Sequence, residues 1–401
     1  MIRTGKSADD VRKTVIERMA KVSTPITGAR VEMGKTADEK FRAAATDAIL
    51  MRHNSALIKN PAPGHEQLSR LGFEALARKC LQSVGVNTEF MGKEEIFRFA
   101  LARALPSHSS SDFSYILANT AHKAALLGWQ YAVQTWRLWC RKGFLSDFKA
   151  ATRVRLGDAP TLLAVPESGE VKAGTMGDTG ESITLVTYAR NLSITRKALM
   201  NDDLNIFDTL FKAFGARASD LVNSLPYAVL AANAALADTG LLFNTTAITT
   251  AGGHANKASS GGAIDNTTVA AGKAAMKKQT GPNGTKMNIS PAILLTGPDY
   301  ENAAQLYTGQ FLPESNRPAG TPNPHRNLQS VSDANISGNA WYLVGDPSMF
   351  DTVEVAFLDG NESPTVTEAE SVDILGRTYT CFIDATAKAL DFRAMYHNAG
   401  A

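Results

Sequence analysis

VPESGEVKAGTMGDTGES, residues 165–182, carries glycines at positions 169, 174, 177 and 180 and runs directly into the alternating stretch Ile183-Thr184-Leu185-Val186-Thr187-Tyr188. Strand-like runs precede it at Thr152 to Leu156 and at Leu162 to Val165. Two strands around so polar and glycine-rich a tip predict a long protruding hairpin. The tip has too few apolar side chains to pack into its own domain. It is expected to lie on solvent or on a neighbouring subunit, and its charged residues Glu167, Glu170, Lys172, Asp178 and Glu181 are the candidate contacts. The plainer expectation for the same residues is a solvated loop tip.

Downstream, Asn201-Asp202-Asp203 offers helix N-caps. Apolar residues then recur at Leu204, Phe207, Phe211, Phe214, Ala218, Leu221, Leu225 and Val229, at spacings of three and four, which predicts one continuous apolar helix face. Unbroken to Leu236 this helix would be about 48 Å long, and Pro226 predicts a kink or break within it. Residues 238–290 are rich in Thr, Asn, Gly and Ser, with one helix expected from Asn266 to Gln279. Ile293 to Thr296 reads as a buried strand, and Gly297-Pro298-Asp299 leads into a helix from Tyr300 to Tyr307. Pro313 to Asn327 reads as a long proline-rich loop. Strands are expected at Trp341 to Val344, Val353 to Leu358, Ser371 to Leu375 and Thr378 to Ile383, followed by the run Ala389 to Tyr396.

The first 150 residues read differently. Amphipathic helical patterns start at Ser7-Ala8-Asp9-Asp10, with Val11, Val15, Met19 and Val22 on one face, and recur over Thr36 to Ile58, Glu66 to Val84 and Lys93 to Leu105. Pro106-Ser107-His108-Ser109-Ser110-Ser111 interrupts them as a linker, and a further helix runs from Asp112 to about Tyr131. Helices first and strands later make the chain α+β.

With 401 residues, 44% hydrophobic and 20% charged, the chain can bury more than one core and is too apolar for general disorder. No run of apolar residues is long enough to span a bilayer and no secretory leader is visible, so a protein made and kept in the cytoplasm is expected. Cys80, Cys140 and Cys381 show neither CxxC nor Cys/His spacing and read as core thiols. The net charge of +2 conceals an asymmetry: residues 1–150 hold 23 Lys and Arg against 14 Asp and Glu, whereas residues 151–401 hold 18 against 25. A basic first third on an acidic remainder fits contact with nucleic acid, complementary surfaces between copies of the chain, or simply a solvated basic helical face.

No catalytic constellation holds together in the sequence. There is no GxSxG; His108, Ser110 and Asp112 have hydrolase residue types but sit in a polar linker. GPNGTK, residues 281–286, lacks phosphate-loop spacing and follows a helix, so a surface turn is expected. No HExxH or calcium loop occurs, and no cofactor or metal is implied. Trp129, Trp136 and Trp139 recur as a packed helix face would place them; with Arg137, Arg141 and Lys142 beside them, stacking on nucleic acid is the rival reading.

Four stretches carry a family resemblance: SSDFSYILANTAHKAAL from Ser110, SDFKAATRVRLGDAP from Ser146, VPESGEVKAG from Val165 and the closing LDFRAMYHNAG. In this order and spacing, over residues 110–401, they resemble the major head proteins of Mu-like prophages and related tailed phages, which have the Hong Kong 97-type capsid fold. The resemblance implies a helical N-terminal region over 1–109, an N-terminal arm over 110–150 and an extended loop with peripheral-domain strands over 151–200. It further implies a spine helix over 201–239, an axial domain over 240–340 and peripheral return strands over 341–401. It implies a structural shell protein and not an enzyme, one that assembles into hexamers and pentamers in the host cytoplasm and resides in the virion. Expected partners are further copies of itself, scaffold, portal and cement proteins, and packaged double-stranded DNA on the inner face, with no membrane. Some relatives crosslink a loop lysine to a neighbour's asparagine beside a glutamate; Lys172, Asn361 and Glu362 have those types. Two rival readings are an encapsulin-like compartment shell and a hydrolase with an unrecognised site.

Overall fold

The computed structural model describes residues 36–51, 58–83, 85–101, 112–155, 179–195, 197–198, 201, 204–281, 284–312, 320–370 and 376–401. The chain divides into two compact units, Met1–Thr120 with Lys197–Asn205, and Ala121–Arg196 with Ile206–Ala401. The first is helical as expected, with α1 (Ala37–Met51), α2 (His65–Ser69), α3 (Phe73–Ser83), α4 (Lys93–Leu101) and the first part of α5 (Asp112–Tyr131). Thr36 and Glu39 form a reciprocal box ahead of α1: the Glu39 N–H donates to Thr36 Oγ1 and the Thr36 N–H to Glu39 Oε2. The core of this unit is aromatic, with Phe113 meeting Phe73 and Phe97 edge-on at 6.2 and 6.0 Å. Asp112 is 4% exposed and is neutralised by Arg42.

The second unit continues with α6 (Trp136–Trp139), β1 (Arg141–Leu145), β2 (Ala151–Arg155), β3 (Thr179–Ile183), β4 (Val186–Thr195) and α7 (Leu204–Ala232). Then follow α8 (Asn266–Lys277), β5 (Ile293–Thr296), α9 (Glu301–Thr308), β6 (Gln329–Ser332) and β7 (Trp341–Val344). The chain closes with β8 (Val353–Leu358), β9 (Thr365–Glu370), β10 (Gly376–Ala389) and β11 (Met395–Asn398). Five strands form the main sheet in the order β1-β8-β10-β4, with β9 also on β10; a second sheet runs β11-β7-β5-β6, and β2 and β3 form a two-stranded sheet. Among the described residues, no helix is long and apolar enough to cross a membrane.

Helix α7 has 29 residues and is about 43 Å long at the standard rise. The break expected at Pro226 does not occur. Proline removes one backbone bond, to the Val222 carbonyl, and the buried residues on both sides, Val222, Tyr227 and Leu230, hold the helix through it. Close approach to α5 depends on two glycines. A Cβ on Gly128 would overlap the Lys212 carbonyl, and one on Gly215 the Ala125 carbonyl. Backbone therefore packs on backbone at this crossing.

The second sheet is buried on both faces, which is why β5 and β7 read as unbroken apolar runs. Ile293, Leu295, Tyr342 and Val344 face the core shared with α7 and the main sheet, while Leu294, Trp341 and Leu343 face α8 and α9. Asp265 caps α8 with bonds of 2.7 Å from the Thr267 and Thr268 N–H groups, and Thr268 Oγ1 accepts from the Asp265 N–H in return. The Thr/Asn/Gly-rich stretch after α7 is held by side chains acting as backbone substitutes. Asn244 donates to the Leu241 and Gly252 carbonyls and accepts from the Thr246 and His254 N–H groups, and Asn256 donates to the Leu242 and Phe392 carbonyls.

Candidate assembly surfaces

The predicted hairpin has a paired stem. β2 and β3 run antiparallel from Ala151 opposite Ile183 to Arg155 opposite Thr179, and the residues between, 156–178, lie outside the described ones. Glu167, Glu170, Lys172 and Asp178 fall there, as does the run Leu162 to Val165.

The root of the stem is fixed to the main sheet by charge and by packing. Arg153 donates to Glu354 Oε1 through Nε at 3.0 Å and Nη2 at 2.6 Å, and Nη2 also donates to the Phe144 carbonyl at 2.8 Å. Glu354 sits in the middle strand β8, 2% exposed. Its carboxylate occupies the space a side chain at position 143 would fill, so β1 needs Gly143 there. Below this pair Leu145, Ile183, Leu185 and Ala356 form a small apolar cluster. Glu181, the one predicted contact residue that is described, is 4% exposed, and its Oε1 accepts the Ala237 N–H at 2.8 Å. It ties the stem to the segment that follows α7, within its own chain.

Trp129, Trp136 and Trp139 are 6%, 1% and 0% exposed and belong to the main core, which overturns the stacking surface for nucleic acid. Their basic neighbours are engaged: Arg137 lies over the Trp136 ring and pairs with Glu362, Lys142 pairs with the same carboxylate, and Arg141 pairs with Asp351. Burial works to raise the Glu362 carboxyl, but bonds from Lys142 and Arg137 prevail and hold it below the usual range, so it is a weakened base. Lys172, its companion in the crosslinking resemblance, lies outside the described residues. Of the hydrolase-type trio, His108 and Ser110 also lie outside, and Asp112 is the partner of Arg42. At GPNGTK the Gly281 N–H donates to the Thr285 carbonyl at 2.8 Å and Gly284 has a φ of 77°, while Pro282 and Asn283 lie outside the described residues.

The sequence did not signal a long open seam between α7 and the main sheet. Leu210, Phe214, Ala218, Leu221, Leu225 and Val229 line up along α7 and stay half-buried. Opposite them lie Tyr188 to Asn191 of β4 and Cys381 to Ile383 of β10. The seam encloses about 840 Å³ at one end and about 290 Å³ at the other, with Tyr188 lining both. The apolar stripe was legible from its spacing; that the chain's own sheet covers only half of it was not.

Residues 179–398, more than half of the chain, match the phage capsid protein family. No curated protein matches the chain. Among solved structures the chain is similar to the capsid of bacteriophage JBD30, at 11% identity and a TM-score of 0.38, over 66% of this chain and 65% of that one. It thus spans just under two thirds of that capsid chain. It is also similar to the capsid of the cyanophage P-SCSP1u, at 12% identity and a TM-score of 0.46, over 79% of this chain and 96% of that one. The SrpI encapsulin of Synechococcus elongatus PCC 7942 is similar at 10% identity and a TM-score of 0.41, over 67% and 88%.

Proposed function

The chain belongs to the phage capsid protein family and is a structural shell protein, and from that premise we propose that it is the major head subunit, closing into hexamers and pentamers around packaged double-stranded DNA. The observation that carries the reading is the hairpin stem. A two-stranded ribbon is marginal alone, yet here a buried ion pair and an apolar cluster root it in the main sheet. A root of that rigidity is of use when the segment it carries, residues 156–178, must reach a fixed place on another subunit. Repeated head-to-tail contacts of this kind close into rings.

Glu167, Glu170, Lys172 and Asp178 are then charged contacts across the subunit boundary, while Glu181 holds the stem from within. In this reading the chain comprises a helical region over 1–109, an arm over 110–150, the loop and its strands over 151–200, the spine helix over 201–239, an axial domain over 240–340 and return strands over 341–401. Basic residues in the first third favour an inner position facing DNA, where phosphates reward lysine and arginine through counterion release. Scaffold, portal and cement proteins are the further partners, and assembly takes place in the host cytoplasm.

Electron microscopy of the purified full-length protein, alone and with its scaffold, tests the proposal. Rings or closed shells are expected. A sedimenting species that remains a monomer under every assembly condition overturns it.

A further inference from the structure

Helix α8 lies so close on the second sheet at Gly272 that a Cβ there would come within 2.7 Å of Leu343 and 2.9 Å of Tyr396. The next residue, Lys273, is therefore held at the flank of the helix, half-buried. Its Nζ donates to the Pro324 carbonyl and to Nδ1 of His325, both at 3.3 Å. His325 is 3% exposed, and its Nε2 lies 3.3 Å from the Asn266 carbonyl. A carbonyl can only accept, so the ring proton sits on Nε2 and Nδ1 is left as an acceptor facing the amine. The loop that carries the imidazole is fixed as well. Asn323, 2% exposed, donates to the Tyr307 and Gly309 carbonyls at 2.7 and 2.9 Å, and its Oδ1 accepts the His325 N–H at 2.8 Å.

The two acceptors of the Lys273 amine are both neutral, and a second amine, Lys277, stands one turn further along α8. Burial, and after it the Lys277 charge, hold the Lys273 amine below its ordinary range. Burial, and after it the Lys273 charge, lower the His325 imidazole too, against the bond to Asn266, which works to raise it. The surroundings thus favour the uncharged forms of both groups. A half-desolvated lysine beside a second cation, within reach of a base that a third group orients, has the arrangement of a nucleophilic amine.

We propose that Lys273 is an acyl-acceptor site, its amine taking an acyl group from an activated donor, a thioester or an acyl phosphate, with His325 receiving the proton. The Nζ lone pair forms the C–N bond to the acyl carbon, the C–S or C–O bond of the donor breaks, and the thiolate or phosphate leaves with the electron pair. The proton shed by the new amide nitrogen passes to His325 Nδ1 and from there to the leaving group or to water. One amine per chain becomes a neutral amide, without turnover, so the site modifies the subunit and does not make it an enzyme. The inference stands apart from the shell reading.

The full-length protein is treated at pH 7.5 with limiting acetyl phosphate in one arm and limiting N,S-diacetylcysteamine in the other, and acetylation is read at each lysine by mass spectrometry. In at least one arm Lys273 should be acetylated at least about tenfold faster than Lys278, the exposed lysine that follows α8, and the faster arm names the donor. In His325→Gln the Lys273 rate at high pH should fall at least about tenfold, while the midpoint of its pH profile stays below that of Lys278. Mere loosening of the helix would instead bring the two midpoints together. Equal rates at Lys273 and Lys278 in both arms overturn the proposal, and so does an unchanged high-pH rate in His325→Gln. Far-ultraviolet circular dichroism checks that the variant is folded. Should it not fold, Lys277→Gln at an exposed position carries the test: removing that charge should move the Lys273 profile to higher pH, and an unmoved profile overturns the proposal.

Discussion

Arg153 and Glu354 meet through two donors and one acceptor, Nε and Nη2 of the arginine both reaching Oε1 of the glutamate, across the junction between the hairpin stem and the main sheet. The carboxylate is 3% exposed and the guanidinium 33%, so only one partner retains solvent. Removing the other partner leaves a charge with no compensation. Glu354→Gln is expected to cost about 3 kcal/mol, the low end of the range for breaking buried pairs, because Arg153 can turn partly to water. Arg153→Leu should cost more than an exposed arginine would, since it strands the deeper charge. A double-mutant cycle by urea denaturation checks the coupling: additive single effects would mean that the pair does not hold the root.

The crossing of α5 and α7 supplies a sharper test of packing. Gly128→Ala and Gly215→Ala each add a methyl group where the other helix presents its backbone, and backbone cannot step aside as a flexible side chain can. Each substitution should destabilise by about 3 kcal/mol, the upper part of the range for overpacking, despite the better helix propensity of alanine. The thermal midpoint reports the balance, and a rise in Tm would show that the helices separate without cost.

Much of this fold is visible in the sequence because its signals are local. Spacings of three and four placed α5 and α7, and apolar runs placed β5, β7 and β8. What escaped depends on partners far away in the chain. β1, Arg141–Leu145, is a strand because β8 lies parallel to it, and nothing in RKGFL announces this. β9 at Thr365–Glu370 likewise exists as a partner of β10. Pro226 does not end α7, because the helix is buried on both sides of it. In the candidate site the glycine-rich tip and its charges were legible, whereas the open seam forms between α7 and strands β4 and β10, which the chain brings together from separate stretches. Glu181 looked like its neighbours in sequence, and only the turn that brings Ala237 to it distinguishes it.

The three thiols give an inexpensive probe of local opening. Cys80, Cys140 and Cys381 are all buried and free. Burial pushes the Cys381 thiol up to about 11 and the Cys80 thiol up to about 12, with Asp112 adding to the latter, and burial raises Cys140 well above its ordinary value. At pH 8 less than about one thiol in a thousand is a thiolate at a pKa of 11, so labelling by iodoacetamide should wait for opening of the structure. Cys381, which lines the open seam, should react first and the other two only on unfolding. Mass spectrometry of the labelled chain checks the order; prompt labelling of Cys140 would contradict its place in the main core.

Acid should destabilise the second unit in part through His397. Burial, and after it the Lys257 ammonium, hold this imidazole at about 4, against an ordinary value of 6.5. The ring packs beside Phe243 at 5.3 Å and Tyr342 at 4.9 Å, surroundings that favour the neutral form. A folded-state value below the unfolded one means that the unfolded chain binds the proton more readily. The stability this residue lends is therefore fully present above about 6.5 and is lost as the pH falls from there through about 4. His122 and His325 are also lowered, by burial first in both cases, and act in the same direction. His397→Phe keeps an aromatic ring between Phe243 and Tyr342 and removes the titration. Its Tm at pH 7.5 should lie near that of the wild type, while the drop in Tm between pH 7.5 and pH 4.5 should be smaller, the remainder belonging to the other two histidines and the carboxylate pairs. An unchanged drop would mean that His397 takes up its proton without leaving its place between the two rings.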